Sequence, residues 1–198
     1  MPDDEQNSQS ASLDQCPVCV DAQPGRVFHV SEIPNDIKIL RPWPHLMIKQ
    51  RSTVVQCVDE DTIQTIYRMM ASCIKFNGIG LAASQLGLYK KLFVIRDMDD
   101  AGNALDTFHA YFNLSYIPVH EAGIVDGVEG CLSIPNAIYK VHRHQEVNAT
   151  WQELAKDKLE LVSVYGKITG YKARVFGHEY DHTLGVCIAD IGKKYHGK

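Results

Sequence analysis

The segment FGHEYDHTLG (176–185) places two histidines, His178 and His182, four residues apart. On an α-helix this spacing puts both side chains on one face, close enough to bind a single metal ion. Glu179 is the next residue along the helix and can accept a proton from water at such a metal. A catalytic centre of this kind needs three protein ligands. The segment therefore predicts a helix that packs against a third ligand from elsewhere in the chain.

The residues after His182 do not supply the third ligand that common His-Glu-x-x-His peptidases use. One peptidase class places a third histidine six residues after the second, and that position is Ile188 here. Another class uses a glutamate from a following helix, but residues 183–198 contain no glutamate, and Asp190 is their one carboxylate. An upstream ligand is therefore expected. The candidates are the remaining cysteines, histidines and carboxylates. Cys131, in GVEGCLSIP (127–135), stands out among them, although a single cysteine is commonly a small apolar residue packed in a strand.

Hydrophobic periodicity predicts two helices. Apolar residues recur with the helical period between Asp59 and Phe76, and Asp59 or Asp61 can cap this helix. The second helix is predicted from Tyr171 to Leu184, with Tyr171 on the same inward face as the two histidines and Gly185 as its stop. β-Branched and aromatic runs predict strands at 91–96, 108–113, 146–151 and 158–166. The predicted class is α+β, with short antiparallel strands packed around the metal-binding helix.

Composition limits the kind of protein this is. The chain has 198 residues, of which 45% are hydrophobic, which is enough for one domain with a core. A net charge of -4 gives no sign of a nucleic-acid-binding surface.

Residues 1–35 are polar and are predicted to be a flexible tail. The six cysteines are expected to be mostly free, because the printed start has no signal-peptide pattern. The lone Cys-x-x-C at 16–19 has no second half, so it does not predict a metal site.

Three segments in order, GIGLAASQ (78–85), EGCLS (129–133) and HEYDH (178–182), resemble the signature motifs of the peptide deformylase family. The resemblance implies a metal-dependent hydrolase in residues 36–198 that removes the formyl group from the N-terminal formylmethionine of new polypeptides. It implies formylmethionyl peptides emerging from ribosomes as partners, with no nucleic-acid or membrane binding. The expected location is the cytoplasm in a bacterium. In a eukaryote it is the mitochondrial or plastid matrix, with a transit peptide removed.

The resemblance also assigns the metal site. It implies that Cys131, His178 and His182 hold one divalent metal ion. Ferrous iron is the expected ion, and Zn²⁺, Ni²⁺ or Co²⁺ can replace it in a preparation. A mixed thiolate and imidazole set suits all four metals, so the ligand types alone do not identify the ion. Asp181 and Arg143 correspond to a family ion pair behind the metal helix, and the alternative for Asp181 is a solvated helix residue.

The remaining assigned residues act on the substrate. The resemblance gives Glu179 as the general base, and the Gln85 amide and the Leu132 backbone N–H as oxyanion donors. It gives Ile79 and Gly80 as backbone partners of the peptide, and Gly130 as a position that allows close backbone approach. Without the resemblance, the glycines at 78 and 80 could simply form a turn after the first helix.

Three positions depart from the family pattern. Gly177 stands where glutamine is usual, Thr183 stands where leucine is usual, and Ile138 stands where some members carry arginine. These departures keep open a catalytically impaired homologue that acts as a metal-stabilised binding protein, beside the possibility of a metallopeptidase. The presence of Glu179 favours an active enzyme, because a purely structural metal site has no use for a general base.

Overall fold

The computed structural model describes residues 25–197. Its helices are α1 (Glu60–Lys75), α2 (Gly170–Thr183) and α3 (Ile188–Ile191). Its strands are β1 (Val27–His29), β2 (Gly80–Ala82), β3 (Leu92–Met98), β4 (Ala104–Pro118), β5 (Ile124–Cys131), β6 (Ile134–His144), β7 (Glu146–Leu154), β8 (Leu161–Thr169) and β9 (Lys193–Tyr195). Strands β2, β3, β4, β7 and β8 follow one another in the larger antiparallel sheet, and β1 pairs with β4. Strands β5, β6 and β9 form a smaller antiparallel sheet. The predicted α+β class is confirmed.

Helix α1 forms where the sequence predicts it. The side chain of Asp59 caps it by accepting the backbone N–H of Thr62 at 2.9 Å. The apolar stripe packs into the main core, where Ile66, Met70 and Cys73 are fully buried. Burial of this face holds α1 against β2 and β3 and so positions the glycine-rich segment that follows the helix.

Helix α2 agrees with its predicted bounds to one residue at each end. Phe176 is buried on it and packs edge-on against Tyr111, with ring centroids 4.5 Å apart. The chain turns after the helix at Gly185, whose φ of 77° lies in the left-handed region that favours glycine. The predicted inward face is buried at His182 but open at the first turn of the helix, where Tyr171 is 56% exposed.

The hairpin of β5 and β6 is not predicted by hydrophobic periodicity. Its exposed and buried positions carry no clean alternation of polar and apolar residues, and Gly127 and Gly130 interrupt β5. The strands pair antiparallel from Ile124 opposite His144 to Gly130 opposite Ile138. This hairpin places Cys131 at the end of β5, facing α2.

The tail predicted for residues 1–35 is too long. Strand β1 and a short 3₁₀ turn at Val30–Glu32 form within it. Phe28 is fully buried in the main core and pairs with Phe108 of β4, so burial of one aromatic ring fixes a segment whose surroundings are polar. The remainder of the predicted tail, with Cys16 and Cys19, lies outside the described residues.

Within residues 25–197, Cys57, Cys73, Cys131 and Cys187 are all free thiols. No helix in the described part of the chain has the length and apolar character needed to cross a membrane.

Candidate active site

Three side chains meet where the end of β5 packs on α2. The ligand atoms of Cys131, His178 and His182 all lie within 4.8 Å of one another. The Cys131 Sγ lies 3.3 Å from His182 Nε2. One thiol and two imidazoles, drawn together with no fourth protein ligand within residues 25–197, fit a metal centre with an open coordination position. The structure thus brings together the three residues that the sequence singles out as ligands.

Glu179 lies beside this cluster. It is 4% exposed, and its Oε2 is buried without a hydrogen-bond partner in the structure. Burial raises the pKa of Glu179 to about 7, against the opposing effect of His178 and Arg143. A buried carboxylate with a free oxygen and a pKa near neutrality is suited to take up and release a proton.

Gly80 makes room for this carboxylate. A Cβ at Gly80 would lie 2.4 Å from Glu179 Oε1, closer than real contacts allow. The backbone of Gly80 also faces the cavity. Because the carbonyl of Ile79 accepts the Arg96 backbone N–H at 2.7 Å, strand alternation turns the N–H and C=O of Gly80 away from β3.

Gln85 is buried and held at both ends of its amide. Its Oε1 accepts the backbone N–H of Ala82 at 2.9 Å, and its Nε2 donates to Ser133 Oγ at 3.2 Å. The same Nε2 lies 3.6 Å from Cys131 Sγ. The amide nitrogen is therefore presented to the candidate metal cluster in a fixed orientation. Leu132 follows Cys131 and lines the same cavity.

A buried ion network lies behind the ligands. Glu129 Oε2 lies 3.0 Å from His178 Nδ1, and Arg143 makes two hydrogen bonds to the Glu129 carboxylate at 2.9 and 3.0 Å. Arg143 also donates to Asp181 Oδ2 at 2.6 Å. Burial works to raise the pKa of Glu129, but its contacts with His178 and Arg143 outweigh burial and lower the pKa to about 2. The ionised Glu129 orients the His178 ring through the nitrogen that faces away from the cluster.

Sequence reasoning missed two members of this network. Glu129 lies two positions before Cys131, in the EGCLS segment, where the sequence pattern assigns it no role. Arg174 lies four residues before His178, on the same helix face. Its Nη1 donates to Glu129 Oε1 at 2.6 Å. The spacing of Arg174 from His178 is the signal that could have found it.

Two of the three departures from the family pattern, Gly177 and Thr183, have a local explanation. A Cβ on Gly177 would lie 3.1 Å from Arg143 Nη1, so Arg143 occupies the space that a larger residue would use. The Thr183 hydroxyl donates to the Tyr180 carbonyl at 2.7 Å, which satisfies it in its buried position. Ile138 is 42% exposed on the cavity wall.

The cavity has a volume of about 1320 Å³. Its walls come from the segment after α1 (76–80), from residues 128–138, from the exposed face of α2 and from the loop at 41–45. Gly130 lines the cavity, and a Cβ there would meet only Ile138, at 3.9 Å. Cys131, His178 and Glu179 all line this cavity, so a ligand inside it can reach two of the three candidate metal ligands and the carboxylate.

Fold and site together define a hydrolytic metalloenzyme class in which a cysteine and a His-Glu-x-x-His helix share one centre. Comparison with known proteins gives the particular family. The sequence profile of the family described as "Polypeptide deformylase" matches residues 37–196. The chain belongs to the peptide deformylase family. Peptide deformylases are metal-dependent enzymes that remove N-formyl groups, and this protein is one of them.

Individual relatives support this family assignment. The peptide deformylase of Thermotoga maritima is 32% identical over 152 residues, which cover 76% of this chain and 84% of that protein. That of Zymomonas mobilis subsp. mobilis is 32% identical over 149 residues, covering 74% and 81%. The crystal structure of the Thermotoga maritima enzyme superposes with a TM-score of 0.65 at 29% identity, covering 78% of this chain and 97% of that one. A class I type b enzyme from Acinetobacter baumannii shares the fold, with a TM-score of 0.68 at 22% identity over 78% and 99% of the two chains.

Proposed function

We propose that this chain deformylates N-formylmethionyl peptides with Glu179 as its general base. The observation that supports this most directly is the buried Oε2 of Glu179, which has no hydrogen-bond partner among residues 25–197 and belongs to the residue next to the candidate ligand His178. A carboxylate in that position costs free energy in the folded state unless a ligand or substrate completes its hydrogen bonds.

The metal is proposed to be one divalent ion held by Cys131, His178 and His182. Ferrous iron is our first choice from the family resemblance, and Zn²⁺, Ni²⁺ and Co²⁺ suit the same donors. When bound, the ion supplies Lewis-acid activation of water and of the formyl group. Glu129 fixes the His178 tautomer from behind, and Arg143 and Asp181 hold Glu129 and the helix in place.

Side chains and backbone groups of the protein carry out proton transfer and stabilise the developing charge. Glu179 accepts the proton of the attacking water at its carboxylate and delivers it to the nitrogen of the departing amine. The Gln85 Nε2 and the Leu132 backbone N–H donate to the formyl oxygen as it gains negative charge. Both donors are supplied by buried segments, so little reorganisation is needed when charge develops.

The peptide is proposed to bind as an added strand along β2. Gly80 offers an N–H and a C=O toward the cavity, as the pairing of Ile79 with Arg96 requires. Gly130 on the opposite wall leaves room for the peptide backbone to approach β5. Such main-chain pairing binds many sequences alike, which suits an enzyme that meets the starts of many polypeptides.

The partners are therefore formylmethionyl peptides, including those that emerge from ribosomes. Formylated starts occur in the bacterial cytosol and in organelles, and we propose that the protein acts in one of these compartments.

A selectivity assay tests this proposal. Purified protein loaded with Fe²⁺ is given formyl-Met-Ala-Ser, acetyl-Met-Ala-Ser and an unblocked longer peptide under anaerobic conditions. Formate release from the first peptide alone is expected. Cleavage of internal peptide bonds, or equal removal of acetyl and formyl groups, would contradict it. Exposed Asp100→Asn serves as a variant that leaves the result unchanged.

A further inference from the structure

The hydroxyl of Ser133 is a fixed contact of the Gln85 amide. Gln85 Nε2 donates to Ser133 Oγ at 3.2 Å, and both residues are 2% exposed. At the other end of the amide, the Ala82 backbone N–H donates to Gln85 Oε1 at 2.9 Å. The last torsion of a glutamine side chain has no sharp preference, so these two contacts set the plane of the amide. Without Ser133, the amide nitrogen could pivot about the contact with Ala82.

The amide nitrogen of Gln85 carries two hydrogens, and Ser133 accepts one of them. The other acceptor near Nε2 is the Cys131 sulfur, at 3.6 Å. Sulfur is a weak acceptor, so this second hydrogen can be transferred to a stronger one. The formyl oxygen is such an acceptor, because it gains negative charge during the reaction. Ser133 can therefore hold the nitrogen through one hydrogen while the other is donated to the substrate.

Ser133 is itself held by the backbone. It lies with Leu132 in the two-residue turn that joins β5 to β6. Its carbonyl accepts the His45 backbone N–H at 3.0 Å. Leu132 carries the other proposed oxyanion donor, its backbone N–H. One short turn thus supplies that donor together with the hydroxyl that holds Gln85.

The segment 41–45 connects this turn to the backbone of Gln85. The Trp43 backbone N–H donates to the Gln85 carbonyl at 2.7 Å, two residues before His45 bonds to Ser133. Trp43 lies between two prolines, whose rings fix the backbone φ. The side-chain hydrogen bond between Gln85 and Ser133 therefore closes a ring of contacts whose other members are main-chain bonds. A hydroxyl in such a frame has little freedom to move.

We propose that Ser133 is a positioning residue for deformylation, and that its hydroxyl holds the Gln85 amide with one N–H directed at the formyl oxygen. This inference rests on the proposed function. Ser133 acts through Gln85 and does not touch the reacting atoms, so its loss matters only while Gln85 can donate. Because the donated hydrogen bond strengthens as charge develops on the formyl oxygen, losing Ser133 lowers kcat and leaves KM nearly unchanged.

A double-mutant cycle tests this inference. Wild type, Ser133→Ala, Gln85→Leu and the double variant are loaded with Fe²⁺ and assayed anaerobically with formyl-Met-Ala-Ser. Rates are expressed per bound metal ion, so incomplete loading does not enter kcat. Ser133→Gly, which also removes the hydroxyl, is assayed in parallel. Ser52→Ala is the matched control, because Ser52 is buried and its Oγ has no hydrogen-bond partner among residues 25–197.

The effect of Ser133 should depend on the presence of Gln85. We expect Ser133→Ala to lower kcat about tenfold, which corresponds to the loss of one hydrogen bond, and to change KM by less than about twofold. In the Gln85→Leu background the same substitution should change kcat by less than about twofold, because the amide that Ser133 holds is gone. Ser133→Gly should behave as Ser133→Ala does, and Ser52→Ala should behave as wild type.

Three results would overturn the inference. An unchanged kcat in Ser133→Ala would show that the Gln85 amide needs no support from this hydroxyl. Additive losses in the double variant would show that Ser133 acts independently of Gln85. If Ser133→Ala loses its metal, Ser133→Gly takes its place in the comparison, and loss of metal in both would assign Ser133 to the metal site instead.

Failure of the proposed function gives a different result. Wild-type protein that holds iron and releases no formate from the formylated peptide would refute that function, and the inference with it. In each of the results that overturn the inference alone, the wild-type protein remains an active deformylase.

Discussion

The guanidinium of Arg143 lies directly against Gly177 on the metal helix, where a Cβ would be 3.1 Å from Nη1 and 3.2 Å from Cδ. Arg143 cannot yield easily, because Glu129 and Asp181 hold it on two sides. In this chain, Arg143 therefore fills the space that a side chain at position 177 would use.

Restoring a side chain at this position should destabilise the protein. Gly177→Gln gains about 1 kcal/mol or less of helix propensity but overpacks a clamped arginine, which costs about 1–3 kcal/mol. We expect the free energy of unfolding in urea to fall by about 1–2 kcal/mol. Lys172→Gln on the exposed side of α2 is the control and should change it by less than about 0.5 kcal/mol. A more stable Gly177→Gln protein would show that Arg143 moves freely.

Gln85 should affect the chemical step more than substrate binding. Its amide is fixed by Ala82 and Ser133 and faces Cys131. Gln85→Leu removes the donor while keeping much of the volume, and we expect kcat to fall about 10²- to 10³-fold, with KM changed far less. Steady-state kinetics on a formylated tripeptide measures both. Gln56→Leu, at an exposed position, should behave as wild type. A raised KM with an unchanged kcat would assign Gln85 to binding alone.

Glu129 should control metal affinity without touching the metal. Its carboxylate lies 3.0 Å from His178 Nδ1 and is kept ionised by its buried cationic neighbours. Glu129→Gln should weaken Co²⁺ or Zn²⁺ binding about 10- to 100-fold. Competition with a chelator of known affinity gives the value.

Asp126→Asn is the matched control for Glu129→Gln. Asp126 lies on the same strand and pairs at the surface with Lys140 at 2.6 Å. Because this pair is solvent-exposed, its loss should leave metal affinity unchanged. Similar metal affinities of wild type and Glu129→Gln would contradict the role of Glu129 in orienting the His178 ring.

The segment before residue 36 should contribute to stability through Phe28. This ring is fully buried and meets Tyr67 of α1 edge-on, with centroids 6.2 Å apart. Phe28→Ala should lower the free energy of unfolding by about 3–5 kcal/mol. Val27→Ala, one residue earlier and largely at the surface, should cost under about 1 kcal/mol. Equal, small effects of both changes would mean that β1 adds nothing to the core.

What the sequence predicts well is local. Helix α1 has its own cap at Asp59 and an apolar stripe, and α2 is fixed by the histidine spacing and by Gly185, so both helices can be predicted without knowing their neighbours. The three motifs point to the ligands for the same reason, since each motif is a short run of residue types with a chemical purpose.

What the sequence fails to predict depends on long-range contacts. Phe28 looks like part of a polar tail until β4 supplies its partner. Glu129 and Arg174 look like ordinary charged residues until the hairpin of β5 and β6 packs against α2 and brings them together beside His178. Nothing in the pattern around Gly127 indicates that the side chain of Arg174, 47 residues later, occupies the space that a Cβ at position 127 would need. Networks of this kind are built by tertiary packing and leave little periodic signal in the chain.

The most direct test of the account is anaerobic turnover of formyl-Met-Ala-Ser by the Fe²⁺-loaded protein, measured beside Glu179→Ala and Cys131→Ser. The metal content of each protein is determined in the same samples. We predict rapid formate release by wild type, loss of activity with retained metal in Glu179→Ala, and loss of both activity and metal in Cys131→Ser. No formate release by wild-type protein that holds one equivalent of iron would contradict the account, as would full activity in Glu179→Ala.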